Sequence, residues 1–269
     1  MGLIKVALHG VPRSGTSWLG AILDSSKQVI YRNQPLFSYA FKSFLDENAT
    51  NEKIDEFFQA IAKSQDDFLL QNDGKQKRLI PNFDKDTPTH IAYKEARYHH
   101  IIENMMLKDD SVKVLGIIRN PKSVLSSWIE APKEFNKKEW NILKEWRYAP
   151  SKNNNCIEEF YGYQKWKEVA ELFLKLRKRY PDRFYLIDYS QILNNTEEEV
   201  MHIFHFLKLN LGIQTLDFLN RGQKVDLSEE AYSVFRINQS DDKWKKSLPK
   251  EISQEIDEDL IGTKLEIFL

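Results

Sequence analysis

A glycine-bounded loop directly after an apolar run constrains the fold of this 269-residue chain more than any other feature. Residues 3–8 are mostly apolar and Gly10 follows closely, as expected for a short buried strand. Gly10 and Gly15 are separated by four residues and let the backbone approach a group that a Cβ would obstruct. Ser14 through Trp18 would form a first helical turn, whose free N–H groups attract anions. The sequence therefore predicts a phosphate-binding loop between a strand and a helix.

The loop departs from the common nucleoside-triphosphatase pattern, in which the second glycine is followed by Lys and then by Ser or Thr. Thr16 stands at the lysine position, and Ser17 fits the pattern. The loop therefore lacks the cation that reaches the terminal phosphates during phosphoryl transfer. Arg13 is the strong cation inside the loop. This combination favours a phosphorylated donor other than ATP.

A second strand-to-helix junction follows the apolar run at residues 112–118. Asn120 is a favourable helix cap, and Pro121 suits the first helical position. Arg119 then falls at the carboxyl end of a strand, which is where open α/β sheets bind ligands. An arginine there and the hydroxyl of Ser127, two turns along the helix, would clamp a second phosphate.

Arg-Ser-Gly-Thr-Ser-Trp-Leu at residues 13–19 resembles the 5′-phosphosulfate-binding loop of sulfotransferases that use 3′-phosphoadenosine 5′-phosphosulfate (PAPS). Arg119 and Ser127 match, at the same spacing, the pair that holds the 3′-phosphate of the donor in that family. Tyr189 stands where the family has the tyrosine of Tyr-Glu-Asp-Leu, although Ser and Gln replace the acidic pair here. Ordered segments over most of the chain share the resemblance. We therefore expect one three-layer α/β/α domain over residues 1–269, with a mostly parallel, P-loop NTPase-like sheet.

The resemblance implies in-line transfer of a sulfuryl group from PAPS to an acceptor hydroxyl, with 3′,5′-bisphosphoadenosine (PAP) as product and without a metal. We take a carbohydrate or other glycan as the first acceptor to consider, beside other small molecules. Arg13 would stabilise the leaving 5′-phosphate. Arg236 and Lys243 are candidates for a late basic loop over the 3′-phosphate, although the usual Arg-Lys-Gly is missing. The implied donor-binding residues are Arg13, Ser14, Gly15, Thr16, Ser17, Trp18, Arg119, Ser127, Tyr189, Lys243 and Arg236.

The resemblance also places a catalytic base in the polar loop around residues 82–90, and the residues leave its identity open. The candidates are Asp84, Asp86 and His90. The ordinary pKa of histidine, near 6.5, suits base chemistry at neutral pH, whereas an aspartate would need desolvation to raise its pKa. We therefore favour His90 narrowly over Asp86. Residues 32–80 and 131–156 match nothing in the family, so we expect them to shape the acceptor site.

The charge balance and the cysteine content of the chain limit its expected partners and its expected compartment. The 39 Lys and Arg nearly balance the 40 Asp and Glu, so no overall field recruits nucleic acid. A single cysteine suits a reducing compartment, and no run has the length of a signal segment or a membrane span. We expect a cytoplasmic protein without an integral membrane segment. Two alternatives stay open: a magnesium- and ATP-dependent kinase with an atypical loop, and a non-catalytic nucleotide sensor.

Overall fold

The computed structural model describes residues 2–222 and 240–269. Five strands form one sheet, and each neighbouring pair is parallel. They are β1 (Ile4–His9), β2 (Val29–Asn33), β3 (His90–Glu95), β4 (Val112–Ile118) and β5 (Phe184–Asp188). Their spatial order is β2-β3-β1-β4-β5, so the strand that leads into the predicted phosphate loop is central.

The helices join the strands and extend beyond them. They are α1 (Thr16–Ser25), α2 (Asn51–Lys63), α3 (Asp67–Leu70), α4 (Asn72–Gln76), α5 (Ile102–Lys108), α6 (Pro121–Ile129), α7 (Ile142–Glu145), α8 (Pro150–Asn153), α9 (Tyr163–Arg179), α10 (Tyr189–Asn194), α11 (Thr196–Leu207), α12 (Ile213–Gly222), α13 (Trp244–Ser247) and α14 (Lys250–Leu260). Short 3-10 turns cover Pro35–Phe37, His99–Ile101 and Glu266–Phe268.

Two apolar clusters separate the sheet from its helices. One contains Leu19 and Ile22 of α1 with Ile203 of α11, and the other contains Phe57 of α2 with Trp128 of α6. Helices therefore cover both faces of a parallel sheet, and the predicted three-layer α/β/α class is confirmed. That one domain spans residues 1–269 stays a prediction.

Local signals explain where α6 begins. The side-chain oxygen of Asn120 accepts a hydrogen bond from the Lys122 N–H at 2.9 Å, which caps the helix. Pro121 takes the first helical position, where its missing N–H has no consequence. The predicted cap and start are therefore confirmed.

The third strand differs from the sequence expectation. Sequence analysis placed a polar, reactive loop around residues 82–90, but β3 begins at His90, the last residue of that range. Its inner residues are apolar, yet it ends in the charged pair Lys94 and Glu95. That charged end hides the strand from a hydropathy pattern, because a buried parallel strand is expected to be apolar throughout.

Since all five strands are parallel, their carboxyl ends meet at one edge of the sheet. The register places His9 level with Glu95 on one side and with Gly116 on the other. The segments that follow β1, β3 and β4 therefore converge, which is where open α/β sheets bind ligands. Within residues 2–222 and 240–269, no helix combines the length and apolarity needed to cross a membrane.

Candidate active site

The loop after β1 is built to hold an anion. Gly15 has φ 93°, and a Cβ there would lie 2.5 Å from the Tyr189 ring, so both conformation and space require glycine. No side chain caps α1, which leaves its first N–H groups without intrahelical partners. The Ser14 hydroxyl is fully buried and has no hydrogen-bond partner in the described structure. These groups fit a phosphate that accepts their hydrogen bonds.

Arg13 links this loop to α6. It has φ 74°, an uncommon value for a residue with a side chain. Its Nε donates to the Ser127 hydroxyl at 3.0 Å, and its Nη1 lies 3.9 Å from Oε1 of Glu134. The guanidinium therefore lies between the loop and the segment after α6. Ser127, which was predicted to hold a 3′-phosphate, contacts Arg13 in this structure.

Arg119 lies directly after β4 and is engaged on every nitrogen. Nη1 donates to the Arg13 carbonyl at 2.7 Å, Nε donates to both carboxylate oxygens of Asp241 at 3.0 Å, and Nη2 also donates to Asp241. The Tyr189 ring lies 4.7 Å from the guanidinium carbon. Burial acts to lower the pKa of Arg119, but Asp241 and Tyr189 raise it above its ordinary value. The predicted clamp is thus filled by a carboxylate of the same chain.

The end of β3 brings two further charges to this edge. Lys94 and Glu95 are buried, with 3% and 0% of their surfaces exposed. Burial is the largest influence on both, and it lowers the pKa of Lys94 and raises the pKa of Glu95. The Lys94 ammonium has no hydrogen bond or ion pair within the described residues, whereas Oε1 of Glu95 accepts the Leu36 N–H at 2.7 Å. A buried, unpaired ammonium is costly unless a ligand completes it.

Arg97 lies two residues after the charged pair Lys94 and Glu95 and contacts three side chains. Arg97 donates from Nε to Glu159 at 2.8 Å and from Nη2 to the Tyr161 hydroxyl at 3.2 Å. Its guanidinium carbon lies 4.1 Å from the centre of the Phe37 ring, which is 44% exposed. Sequence analysis expected residues 32–80 and 131–156 to shape an acceptor pocket, and Phe37 comes from the first of these segments.

The predicted bases lie at the opposite edge of the sheet. His90 is the first residue of β3, five residues before Glu95, and at about 3.3 Å per residue this separates their Cα atoms by about 16 Å. Its Nε2 donates to the Leu207 carbonyl and its Nδ1 accepts from the Thr89 hydroxyl, each at 2.8 Å. Burial lowers its pKa. The structure therefore corrects the placement of His90 as the base, because both ring nitrogens are engaged far from the phosphate loop.

Asp84 and Asp86 are exposed residues at that same distant edge. The Asp86 N–H donates to the Lys27 carbonyl at 3.0 Å, and the Asp84 N–H donates to the Gln214 side chain at 3.0 Å. Lys27 and Gln28 lead into β2 at its amino end, so this loop cannot reach the carboxyl edge. Neither carboxylate therefore lies beside the phosphate loop in this structure.

The remaining predicted residues divide into three groups. Thr16 and Trp18 are buried, Trp18 in the apolar cluster around α1, and Ser17 is exposed at the start of that helix. Lys243 is exposed before α13, and its side chain has no partner among the described residues. Arg236 lies outside the described residues.

Sequence reasoning missed several charged residues of the site: Lys94, Glu95, Arg97, Glu134 and Asp241. The first two carried no recognisable signal, because a buried parallel strand is expected to be apolar and these two residues are charged. Within the described ranges, no group of three or more His, Cys, Asp or Glu side chains could hold a metal. That the reaction needs no metal stays a prediction.

Comparisons with known proteins agree with this geometry. A relative from Caenorhabditis briggsae named "Putative protein-tyrosine sulfotransferase" is 24% identical over 246 residues, which are 87% of this chain and 76% of the relative. A mouse sulfotransferase complexed with PAP has a TM-score of 0.57 at 12% identity and covers 94% of this chain and 81% of its own. The sulfotransferase domain of the Synechococcus PCC 7002 olefin synthase has a TM-score of 0.54 at 15% identity, covering 91% and 88%.

At such low sequence identity, similarity to the solved structures establishes only the fold of this chain. The family is established by a family model that matches almost the whole chain. The model of the sulfotransferase domain family matches residues 3–265. The predicted enzyme class, a PAPS-dependent sulfotransferase, is confirmed by this match together with the curated relative. The chain therefore belongs to the sulfotransferase domain family.

Proposed function

We propose that this protein transfers a sulfuryl group from PAPS to an acceptor hydroxyl and releases PAP. The observation that carries the proposal is the pairing of two anion sites at one sheet edge. The loop at Ser14 and Gly15 offers unpaired donors, and Arg119 lies across the edge after the neighbouring strand. PAP bears phosphates at both its 5′ and 3′ positions, so it suits two separate anion sites. The mouse sulfotransferase of similar fold is a complex with PAP.

The chain's own residues suggest how the donor would be held. The 5′ end would accept hydrogen bonds from the Ser14 hydroxyl and from the free N–H groups at the start of α1. The 3′-phosphate would take the place of the Asp241 carboxylate on Arg119, with Ser127 within reach once Arg13 turns to the donor. Bidentate contacts from a guanidinium suit a phosphate as well as they suit a carboxylate. The roles of Lys243 and Arg236 over this phosphate stay predictions.

PAPS supplies an activated sulfuryl group whose transfer leaves negative charge on a phosphate. The guanidinium of Arg13 would donate hydrogen bonds to that phosphate and so stabilise the developing charge. The unpaired ammonium of Lys94, on the next strand, would stabilise the sulfuryl oxygens on the acceptor side. Such a reaction depends mainly on positioning and charge stabilisation.

The acceptor is the finer part of this proposal. A carbohydrate is the acceptor that we considered first from the sequence, and the name of the curated relative adds a tyrosyl phenol. The exposed ring of Phe37 at the rim of the edge offers an apolar wall for either ring. An acceptor screen should therefore include free sugars and tyrosine-containing peptides at matched concentrations. A cytoplasmic location also stays a prediction.

Thermal unfolding with added nucleotides tests the donor class. A ligand that binds the native state raises the unfolding midpoint by mass action. We expect PAP to raise it clearly, 5′-AMP to raise it less, and ATP with magnesium to have no larger effect than 5′-AMP. A shift that requires ATP and magnesium would instead favour the kinase alternative. Binding of PAP without any release of PAP from PAPS would favour the nucleotide sensor.

A further inference from the structure

Glu134 lies in the turn after α6, inside a segment for which sequence analysis found no family counterpart. Its Oε1 lies 3.9 Å from Nη1 of Arg13, beyond hydrogen-bond length. Its Oε2 is buried and has no hydrogen-bond partner in the described structure. The side chain as a whole keeps 18% of its surface exposed, so it borders the open edge. A buried carboxylate oxygen without a donor is ready to accept one.

The turn holds this carboxylate in place from both sides. The Glu134 N–H donates to the Ala131 carbonyl at 2.8 Å, and the indole N–H of Trp128 donates to the Glu134 carbonyl at 3.2 Å. Trp128 is 1% exposed and packs edge-on against Phe135, which follows Glu134. The backbone is therefore anchored to the core, as a preorganised reactive group requires.

The charged groups around Glu134 are mostly cationic. Arg13 faces it from the phosphate loop, Lys94 interacts with it electrostatically from β3, and Lys152 does so from α8. Tyr161 is a neutral polar neighbour, and the carboxylate of Glu134 adds to burial, the larger cause, in raising the pKa of its phenol. Cationic groups therefore surround a carboxylate that still has one oxygen without a hydrogen bond.

Two other carboxylates at this edge are less suited to take a proton from an acceptor. Glu159 is engaged by Arg97 at 2.8 Å. Glu95 also has one oxygen without a partner, Oε2, but its side chain is fully buried, so an acceptor cannot reach it. Glu134 combines a free oxygen, partial exposure and nearness to Arg13, the residue that would stabilise the leaving phosphate.

We infer that Glu134 is the general base of sulfuryl transfer, an assignment that rests on the proposed function. The Glu134 carboxylate, whose side chain keeps 18% of its surface exposed, accepts the proton of the acceptor hydroxyl while the acceptor oxygen forms a bond to sulfur. The bond between sulfur and the 5′-phosphate oxygen breaks, and its electron pair leaves on that oxygen beside Arg13. Solvent later removes the proton from Glu134. Atoms and charge balance without a further reactant.

The test compares acceptors that differ in their need for a base. PAP release from PAPS is measured for the wild type, Glu134→Gln, Glu134→Asp and the matched control Glu139→Gln, which changes an exposed carboxylate of the same segment. The acceptors are 4-methylphenol, which is protonated at about pH 8, p-nitrophenol, which is largely ionised at that pH, and water alone. A variant that lacks the base should transfer slowly to an acceptor that must lose a proton. Its rate with an acceptor that is already ionised should change little.

We expect Glu134→Gln to slow transfer to 4-methylphenol and to water by roughly 100-fold to 1,000-fold, within the usual range for general base catalysis. Transfer to p-nitrophenol should fall far less, PAP should still raise the unfolding midpoint of the variant, and Glu134→Asp should recover part of the rate. Glu139→Gln should behave as the wild type. Equal losses with both phenols, or a full rate with 4-methylphenol, would overturn the assignment of the base.

Failure of the proposed function would look different. If the wild type itself released no PAP from PAPS with either phenol, with water, or with any sugar or tyrosine-containing peptide of the acceptor screen, sulfuryl transfer would be rejected and the role of Glu134 with it. If the wild type were active and Glu134→Gln kept its activity, only the role of Glu134 would be rejected.

Discussion

Lys94 and Lys85 are both lysines near an edge of the sheet, yet their surroundings are opposite. At the amino edge, the Lys85 ammonium donates to the Asp24 side chain at 2.7 Å and to two backbone carbonyls. At the carboxyl edge, residue Lys94 is only 3% exposed, and its ammonium has no such partner among the described residues. Buried groups that are satisfied stabilise the fold, whereas unsatisfied ones indicate a missing ligand. The difference indicates that polar chemistry at the carboxyl edge serves binding.

The largest expected effect is at Arg13. We expect Arg13→Ala to lower turnover of PAPS by about 1,000-fold, because it removes a donor that stabilises charge developing in the transition state. Arg179→Ala, which removes an exposed arginine paired with Glu103, serves as the control. Steady-state kinetics with a fixed acceptor measures the loss. A fall in PAP affinity with unchanged turnover would contradict a catalytic role and favour a sensor.

A second large effect is expected at Arg119. Arg119→Ala should weaken PAP binding by roughly 100-fold, because several charge-assisted hydrogen bonds to one group are lost. Binding of 5′-AMP, which lacks the 3′-phosphate, should change much less. Isothermal titration with the two nucleotides measures both constants. Equal losses would remove Arg119 from the 3′-phosphate site.

The lysine pair tests the comparison directly. Lys94→Met should reduce turnover by roughly tenfold to 100-fold and leave the unfolding midpoint unchanged or raised, because it removes a buried unpaired charge. Lys85→Met should lower the unfolding midpoint and leave turnover unchanged. It removes the cation that pairs with Asp24, while the carboxyl edge stays intact. Steady-state kinetics and thermal unfolding of both variants measure the two effects. Equal losses of turnover in the two variants would contradict the assignment of Lys94 to the site and of Lys85 to stability.

His90 should influence stability without influencing catalysis. We expect His90→Asn to lower the free energy of unfolding by about 2 kcal/mol through lost buried hydrogen bonds, with turnover unchanged. The pKa of His90 is lower in the folded protein than its unfolded value near 6.5, so the unfolded state takes up the proton first as pH falls. The contribution of His90 to stability is therefore present above about pH 6.5 and declines below it. Urea unfolding of both proteins across this pH range checks the sign, and a large loss of turnover would restore His90 as a catalytic candidate.

The smallest expected effect concerns Asp241. Asp241→Asn should tighten PAP binding a few-fold, because the carboxylate that competes for Arg119 loses its charge. Asp242→Asn is the matched control, since that neighbouring carboxylate pairs with Lys245 at an exposed position. Weaker binding in Asp241→Asn would mean that Asp241 supports the site instead of competing for it.

These contrasts also explain how much could be predicted from the sequence. The phosphate loop and the start of α6 depend on local rules for glycine and helix caps, so Gly15, Arg13 and Arg119 could be placed in advance. The end of β3 could not be predicted, because its position depends on strand register and because the charge of Lys94 is not typical of a buried strand. His90 was misplaced for the same reason, since an error in the position of a strand moves its residues to the other edge. Glu134 depends on packing of Trp128 and carries no local pattern at all.

The contact between Asp241 and Arg119 has a consequence for how donor binding responds to salt. An open cationic pocket captures an anion and releases its counterions, so affinity falls steeply with ionic strength. Here the guanidinium already holds a tethered counterion, so under the proposed function the incoming 3′-phosphate would replace one anion with another. Binding at this position would then be an ion exchange with a small net change in charge pairing. The affinity of the wild type should therefore depend less on salt than that of Asp241→Asn, in which the pocket is open to solvent ions.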